Sequence, residues 1–335
     1  MKVLFDHSDR FFLAHGGFQV QIEGTKAGVE AAGIQVEFAR WWDGAQTADL
    51  LHFFGRPSED YVRLAHKKNL KVVVSELLTE LGARSVATRF LQKVIISSAR
   101  TVLPVRFTQR MAWEVFKLAD AIIAGTDWEA YLFSNMFGAD PQKVVCIGNG
   151  VEQVFTHSTR VARGKWLVCT ATITERKRVF ELAQAATQAQ TPVWIIGKPY
   201  SDKDPYAQAF LTFARKHPEF VRYEGPIEDR RKLALVYREA RGFVLLSSME
   251  SLSLASGEAA ASECPLLLSD LPWARSAFPA GASFCPVAEP YRTAPFLRRF
   301  YDAAPTMPPP PKPKSWAEIG GELQTVYRKL LNSSP

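Results

Sequence analysis

Residues 242–270, GFVLLSSMESLSLASGEAAASECPLLLSD, read as strand, loop, helix and strand. GFVLLSS and CPLLLSD are short apolar runs, and LASGEAAAS (254–262) between them is helix-like, with Ser253 as its N-cap. That βαβ unit predicts a parallel sheet. It also predicts where two acids go, Glu250 in the strand-to-helix loop and Glu258 inside the helix.

On one helix, eight residues would span ~12 Å. The paired carboxylates of a glycosidase stand only ~5–9.5 Å apart across one bond. The spacing therefore suits one extended ligand held at two points. Loops at the carboxyl ends of parallel strands are where open α/β sheets bind ligands, and a helix N-terminus there offers N–H groups to phosphate. A nucleotide-sugar has the matching layout. Its sugar and ribose hydroxyls suit carboxylates, and the diphosphate between them suits cations and N–H donors.

The same alternation runs outward in both directions. Strands are expected near 2–6, 34–39, 49–54, 71–75, 120–125 and 143–147, with helices at 18–32, 58–68 and 127–137. After 160 the pattern restarts with KWLVCTA, PVWIIG, FVRYEG, GFVLLSS and CPLLLSD, separated by helices near 177–190, 204–216 and 228–240. Two consecutive Rossmann-like domains follow, and two domains imply a cleft. We expect the first at 1–155 and the second at 156–303. Gly148, Asn149 and Gly150 would supply unusual backbone angles for a hinge over 148–160. APTMPPPPKPKS (304–315) reads as a stiff linker over 304–314, delivering a last helix over 315–335. Trp316, Ile319, Leu323, Val326, Tyr327 and Leu330 lie on that helix at core spacing.

The 335 residues, 47% apolar and 22% charged, match a globular chain of two domains. The start has no signal-peptide pattern and no run approaches the ~18 residues of a membrane span, which predicts a cytoplasmic protein. Cys146, Cys169, Cys264 and Cys285 form no C-x-x-C pair and read as buried free thiols. The net charge of +7 is uneven, with 17 basic and 16 acidic residues in 1–150 against 24 and 18 in 151–335. A basic second half suits an anionic ligand.

Glu250-x7-Glu258 in this setting resembles the donor-site signature of the retaining GT-B glycosyltransferases of family 4. GPIEDRRKLALVYREARGFVLLSSME precedes the pair, AAASECPLLLSD follows it, and the similarity covers most of 120–290. It includes GNGVEQVF and ATITERKRVFELAQAA, while AHGGFQVQIEGTKAGVEAAGIQVE (14–37) is similar to the family's glycine-rich acceptor loop and first helix. The resemblance implies an α/β GT-B fold of two Rossmann-like domains facing a cleft, with the C-terminal helix crossing back to the first. It implies that Glu250 contacts the transferred sugar, Glu258 binds the ribose, and Lys177, with Arg176 or Arg178, stands beside the diphosphate. Ser253, Leu254 and Gly197 are implied as further donor contacts. Gly16 and Gly17 would let the first-domain backbone approach phosphate.

The implied reaction uses no cofactor and no metal. A UDP- or GDP-sugar is the donor, and a carbohydrate or lipid-linked hydroxyl the acceptor, as in cell-envelope or exopolysaccharide synthesis. The chain departs from the family at Thr172, where arginine is usual, at Ser253 and Glu263, where glycines are usual, and at Ser75-Glu76, where a histidine often stands. Two rival readings use the same residues: a degenerate GT-B protein that keeps the crevice as a binding or scaffold module, and a GT-B sugar-nucleotide epimerase.

Other motifs carry less. Asp202-x-Asp204 precedes Pro205 and reads as a polar loop, no H-E-x-x-H, Walker loop or full G-x-G-x-x-G occurs, and Glu76 reads as a surface acid. The segment 84–117 carries Arg84, Arg89, Lys93, Arg100, Arg106, Arg110 and Lys117 against Glu114, interleaved with Phe90, Leu91, Val94, Ile95 and Phe107. It reads as a helix with its apolar face in the core and its basic face solvated, or as a peripheral contact with an anionic membrane. No nucleic-acid motif accompanies the charge.

Overall fold

The computed structural model describes residues 1–9, 16–156 and 161–332. Among them, two units separate, Met1–Gly150 with Lys314–Pro335, and Val151–Pro313.

The first unit is built on a parallel sheet of β1 (Lys2–His7), β2 (Gln35–Phe38), β3 (Leu50–Phe54), β4 (Lys71–Ser75), β5 (Ala121–Ala124) and β6 (Val144–Cys146), in the order β2-β1-β3-β4-β5-β6. Its central strands, such as LLHFF and KVVVS, are apolar almost throughout because helices cover both faces of such a sheet. Helix Trp316–Asn332 belongs to this unit and lies against helix Gly17–Ala31. It buries Trp316, Ile319, Leu323 and Tyr327. Glycines let the two backbones meet: a Cβ on Gly320 would stand 1.9 Å from the Gly28 carbonyl oxygen, and one on Gly28 2.0 Å from that of Trp316.

The second unit carries β7 (Leu167–Thr170), β8 (Val193–Ile196), β9 (Val221–Tyr223), β10 (Gly242–Leu245), β11 (Leu266–Ser269) and β12 (Ala282–Cys285), all parallel, in the order β12-β11-β10-β7-β8-β9. This is the doubly wound order in which the chain fills one side of β7 and then crosses back to fill the other. β12 lies outside the expected strands. It is an edge strand whose ASFC is mostly half-buried, so it lacks the apolar run that marks the others. Within the proline-rich stretch, Pro310 and Pro311 pack over Gly281.

Four expectations are corrected. Neither Gly148 nor Gly150 has a positive φ, so neither supplies hinge angles. Gly150 is instead required by a close approach, since a Cβ there would stand 2.6 Å from the Trp316 Cα. Residues 157–160 of the expected hinge lie outside the described residues. Cys146 is exposed, because β6 is an edge strand; the other three cysteines are buried.

The third correction concerns 84–117. Helix Val86–Val102 buries only Ile96 and turns Phe90, Leu91, Val94 and Ile95 outward. Its basic residues Arg89, Lys93 and Arg100 are half-buried instead, each with a partner inward. Arg89 lies 4.7 Å from the Trp128 ring, Lys93 donates to Asn135 at 2.7 Å, and Arg100 donates to the Phe137 carbonyl at 2.8 Å. The side chain of Arg106 lies outside the described residues.

The fourth is Glu76, which is not a surface acid. Arg56 grips both its oxygens, with Nε 2.8 Å from Oε2 and NH2 2.7 Å from Oε1, and Arg56 itself lies against Phe116 and Phe137.

Candidate functional site

β7 and β10 are neighbours at the point where the strand order reverses, and the loops at the carboxyl ends of such strands are where open α/β sheets bind ligands. The loop after β7 holds the 3-10 turn Glu175–Lys177, and the loop after β10 holds Glu250. The backbone ties the two together. Ser248 N and Oγ donate to the Arg176 carbonyl at 2.9 and 3.1 Å, and Arg176 NH1 donates to the Met249 carbonyl at 3.0 Å. Glu250, 7% exposed, then takes two cations: the Lys177 ammonium on Oε1 and Arg176 NH1 3.2 Å from Oε2. One buried carboxylate beside two cations can accept hydroxyls on one side and leave positive charge for an anion on the other.

Arg178 does not join them. Its backbone is left-handed, with φ 52°, and its guanidinium donates to the Ala288 carbonyl.

Helix Leu254–Ala261 starts from Ser253, whose hydroxyl accepts from Ser256 N at 3.2 Å. Ala259, Ala260 and Ala261 are buried, and their small size seats the helix close to the sheet. The same seating buries Glu258, 7% exposed. Burial raises its pKa above the ordinary carboxylate value, partly offset by Arg230, whose guanidinium donates to Oε1. Burial alone would lower the pKa of Arg230, but Glu258 and Glu152 outweigh it and raise it. Arg230 also donates to Glu152 at 2.8 Å and stacks 4.7 Å from the Phe155 ring. The Tyr237 hydroxyl donates to Thr170 Oγ1 at 2.8 Å and stands 3.5 Å from Glu258 Oε2, which links Glu258 to the end of β7.

Sequence reasoning missed Arg230, Glu152 and Tyr237. Each lies within a quoted stretch, EDRRKLALVY or GNGVEQ, yet nothing in spacing says that residues 78 positions apart share a guanidinium. Three further hydroxyls in these elements, Thr174, Ser247 and Ser256, are buried with no hydrogen-bond partner among the described residues.

The remaining predicted residues have local reasons. Gly197 follows β8 with φ 151°, and a Cβ there would stand 1.9 Å from the Ala171 carbonyl oxygen, so only glycine lets the loops after β7 and β8 meet. Glu263 occupies the left-handed position after the Glu258 helix, with φ 58°, where the following amide, Cys264 N, donates back to Ala259 at 2.9 Å. Leu254 is the first residue of that helix, and Asp204 caps helix Pro205–Lys216 through Tyr206 N at 3.0 Å. Gly16 is extended, with open space where a Cβ would lie, and Gly17 begins helix Gly17–Ala31. Ala14 and His15 of the expected acceptor loop lie outside the described residues. Among the described residues, no group of three or more His, Cys, Asp or Glu is placed to hold a metal ion.

The first unit has a separate cavity of about 730 Å³ at the carboxyl end of β4. Arg56 and Glu76 form its charged part, and Leu78, Leu91, Ile95 and Met111 are among its apolar walls. Glu129 supports the wall by accepting from Leu78 N at 2.8 Å, and burial pushes its pKa up to about 7.

No protein-family description matches the sequence, and no curated protein matches it. Solved structures do. The sucrose-phosphate synthase of Thermosynechococcus elongatus matches over all of both chains with a TM-score of 0.70 at 15% identity. A glycosyltransferase from Rickettsia africae matches over 99% of both, with a TM-score of 0.66 at 11% identity. HepE of Anabaena, solved in complex with UDP and glucose, matches over 98% of this chain and 99% of its own, with a TM-score of 0.64 at 11% identity. The chain has the GT-B fold of these glycosyltransferases, two Rossmann-like domains each on a six-stranded parallel sheet.

Proposed function

We propose that this chain is a retaining, metal-independent glycosyltransferase that moves a sugar from a nucleoside-diphosphate sugar to a hydroxyl of a carbohydrate or lipid-linked acceptor. The observation that carries this reading is the meeting of Glu250 with Lys177 and Arg176 at the switch point of the second sheet. The fold it shares with sucrose-phosphate synthase and with HepE, a protein solved with UDP and glucose, supports the same reading.

In this reading Glu250 accepts hydroxyls of the transferred sugar, and Glu258 those of the ribose. Lys177, Arg176 and the first N–H groups of helix Leu254–Ala261 face the diphosphate. As the bond from the anomeric carbon to the diphosphate oxygen breaks, negative charge grows on the leaving group, and fixed cations stabilise it without a metal. The acceptor oxygen bonds to the anomeric carbon on the face the diphosphate leaves, and its proton passes to the departing phosphate. UDP is the favoured leaving group because the HepE complexes hold UDP and UDP-glucose.

The test is a thermal-shift screen of the purified protein against UDP, GDP, ADP, CMP and the corresponding sugars, with Glu258→Ala as control, followed by product analysis with and without acceptor. A ligand at a hundredfold its Kd stabilises the native state by about 2.7 kcal/mol. The expected result is a shift by one nucleoside diphosphate that Glu258→Ala loses, followed by transfer to an acceptor with retained configuration. No shift by any nucleotide overturns the reading. A shift without transfer turns it into a binding module, and donor conversion without acceptor into an epimerase.

A further inference from the structure

We infer that helix Val86–Val102 and the short helix after it, Val105–Met111, dock the first unit on an anionic lipid bilayer. An ordinary surface helix of a globular protein puts its apolar stripe inward. This one does the reverse. Phe90 is 69% exposed, Leu91 60%, Ile95 55% and Val102 78%, and with Val94 they span about 140° of the helix circumference. Ser97, Ser98 and Thr101 fill the gaps on the same outer surface. Phe107 and Met111 on the next helix are exposed as well. A cluster of exposed large apolar side chains of this kind marks an interaction surface.

Charge selects the occupant. Residues 80–117 hold seven basic and two acidic residues. Glu80 stands 3.8 Å from Arg84 and Glu114 pairs with Arg100 and Lys117, whereas Arg110 is exposed and Arg89 and Lys93 are held by a ring and an amide, so the segment keeps a basic excess. A two-fold contact with a second copy would place this face on itself and bring the basic groups of both copies together. An anionic bilayer meets the same groups with opposite charge. Phe, Leu, Val and Ile projecting from a convex helix need no shaped pocket in a bilayer, and such helices settle about 5–10 Å into the headgroup boundary.

The cavity at the carboxyl end of β4 shares Leu91 and Ile95 with this face. Docking would therefore bring lipid to the edge of that cavity.

The experiment is co-sedimentation of the full chain with phosphatidylcholine vesicles, with and without phosphatidylglycerol, at low and high salt. Binding is expected only with the anionic lipid and is expected to weaken with salt. The Arg84→Gln/Arg110→Gln variant should lower the partition coefficient roughly 25-fold, about fivefold for each charge. Phe90→Asp/Phe107→Asp should abolish binding while leaving the circular dichroism and unfolding temperature unchanged, since both side chains are exposed. Equal binding to neutral vesicles, or full binding by the Phe90→Asp/Phe107→Asp variant, overturns the inference. So does absence of vesicle binding, whether the face then proves to mediate a dimer in sedimentation equilibrium or to take an acidic protein. No nucleotide is present in the assay, so its outcome is separate from that of the sugar-transfer reading.

Discussion

The ammonium of Lys177 rests on Oε1 of Glu250, across the gap between the loops that follow β7 and β10. The two side chains come from opposite sides of the switch point, so their meeting depends on the strand order of the whole sheet rather than on any local turn. If the proposed roles hold, their substitutions separate. Lys177→Ala should lower kcat about 10²–10³-fold, the size expected when a donor facing developing charge is removed. Glu250→Gln should also stop sugar transfer yet keep the thermal shift by the free nucleotide, because the proposed Glu250 contact is to the sugar. Equal loss of nucleotide response in both variants would place Glu250 on the nucleotide instead.

Much of this arrangement was legible from sequence, and the reason is periodicity. Apolar runs such as VVVS and VLL mark parallel strands buried on both faces, and the helix bearing Glu258 is announced by Ser253 and a run of small residues. What escaped was set by partners distant in the chain. Arg230 meets Glu258 28 positions away and Glu152 78 positions away, and Glu76 is held half-buried by Arg56, which reaches it from the neighbouring strand's loop. The outward-facing side of helix Val86–Val102 escaped for a different reason. Its periodicity is genuine, but periodicity cannot say which face turns outward.

Arg230 is expected to act on stability as well as on ligand. Arg230→Ala leaves Glu258 buried without its cation; Arg230 is 36% exposed, so the loss is about 1–2 kcal/mol rather than the full value of a buried pair. Burial raises the pKa of Glu258, so folding penalises its charged form and stability from this group falls as pH rises. Removing Arg230 enlarges that effect, so the loss should be greater at pH 8 than at pH 5 in chemical denaturation. A second substitution, Glu258→Gln, should recover part of it and flatten the pH dependence.

Glu263 is in the left-handed region at the end of the helix that carries Glu258, a position glycine fills without strain. Glu263→Gly should therefore stabilise the second unit by about 1 kcal/mol, visible as a higher denaturation midpoint. The residue is exposed, and its backbone carbonyl, which accepts from Arg163, is retained in the variant. An unchanged or lower midpoint would show that the side chain contributes more than the backbone strain removes.

Gly320→Ala tests the return of the C-terminal helix. The added Cβ would meet the Gly28 carbonyl at 1.9 Å, a backbone atom that cannot swing aside, so the helices must separate. Overpacking of this kind costs about 1–3 kcal/mol. Gly321→Ala, one residue along, has open space at its Cβ and should be neutral or slightly stabilising. Comparable unfolding midpoints for the two variants would refute the close helix contact.

His52 ties that helix to the sheet and should make the first unit acid-sensitive. Its Nδ1 is 2.6 Å from the Tyr327 hydroxyl and its Nε2 2.7 Å from Ser75 Oγ, and complete burial lowers its pKa to about 3 from an ordinary 6.5. Between those values the unfolded chain binds a proton that the folded one refuses. The stability from this group is therefore fully present above pH 6.5 and is lost as pH falls, by about 2 kcal/mol at pH 5. Glu129, with its pKa pushed up to about 7, works in the opposite direction over the same range, so the total slope does not isolate His52. The difference between wild type and His52→Gln does. Hydrogen exchange of β3 amides at pH 7 and pH 5 should show the wild type losing about 2 kcal/mol more than the variant on acidification. Equal losses would mean that the imidazole accepts its proton within the fold, with Tyr327 and Ser75 both turning their oxygens toward it.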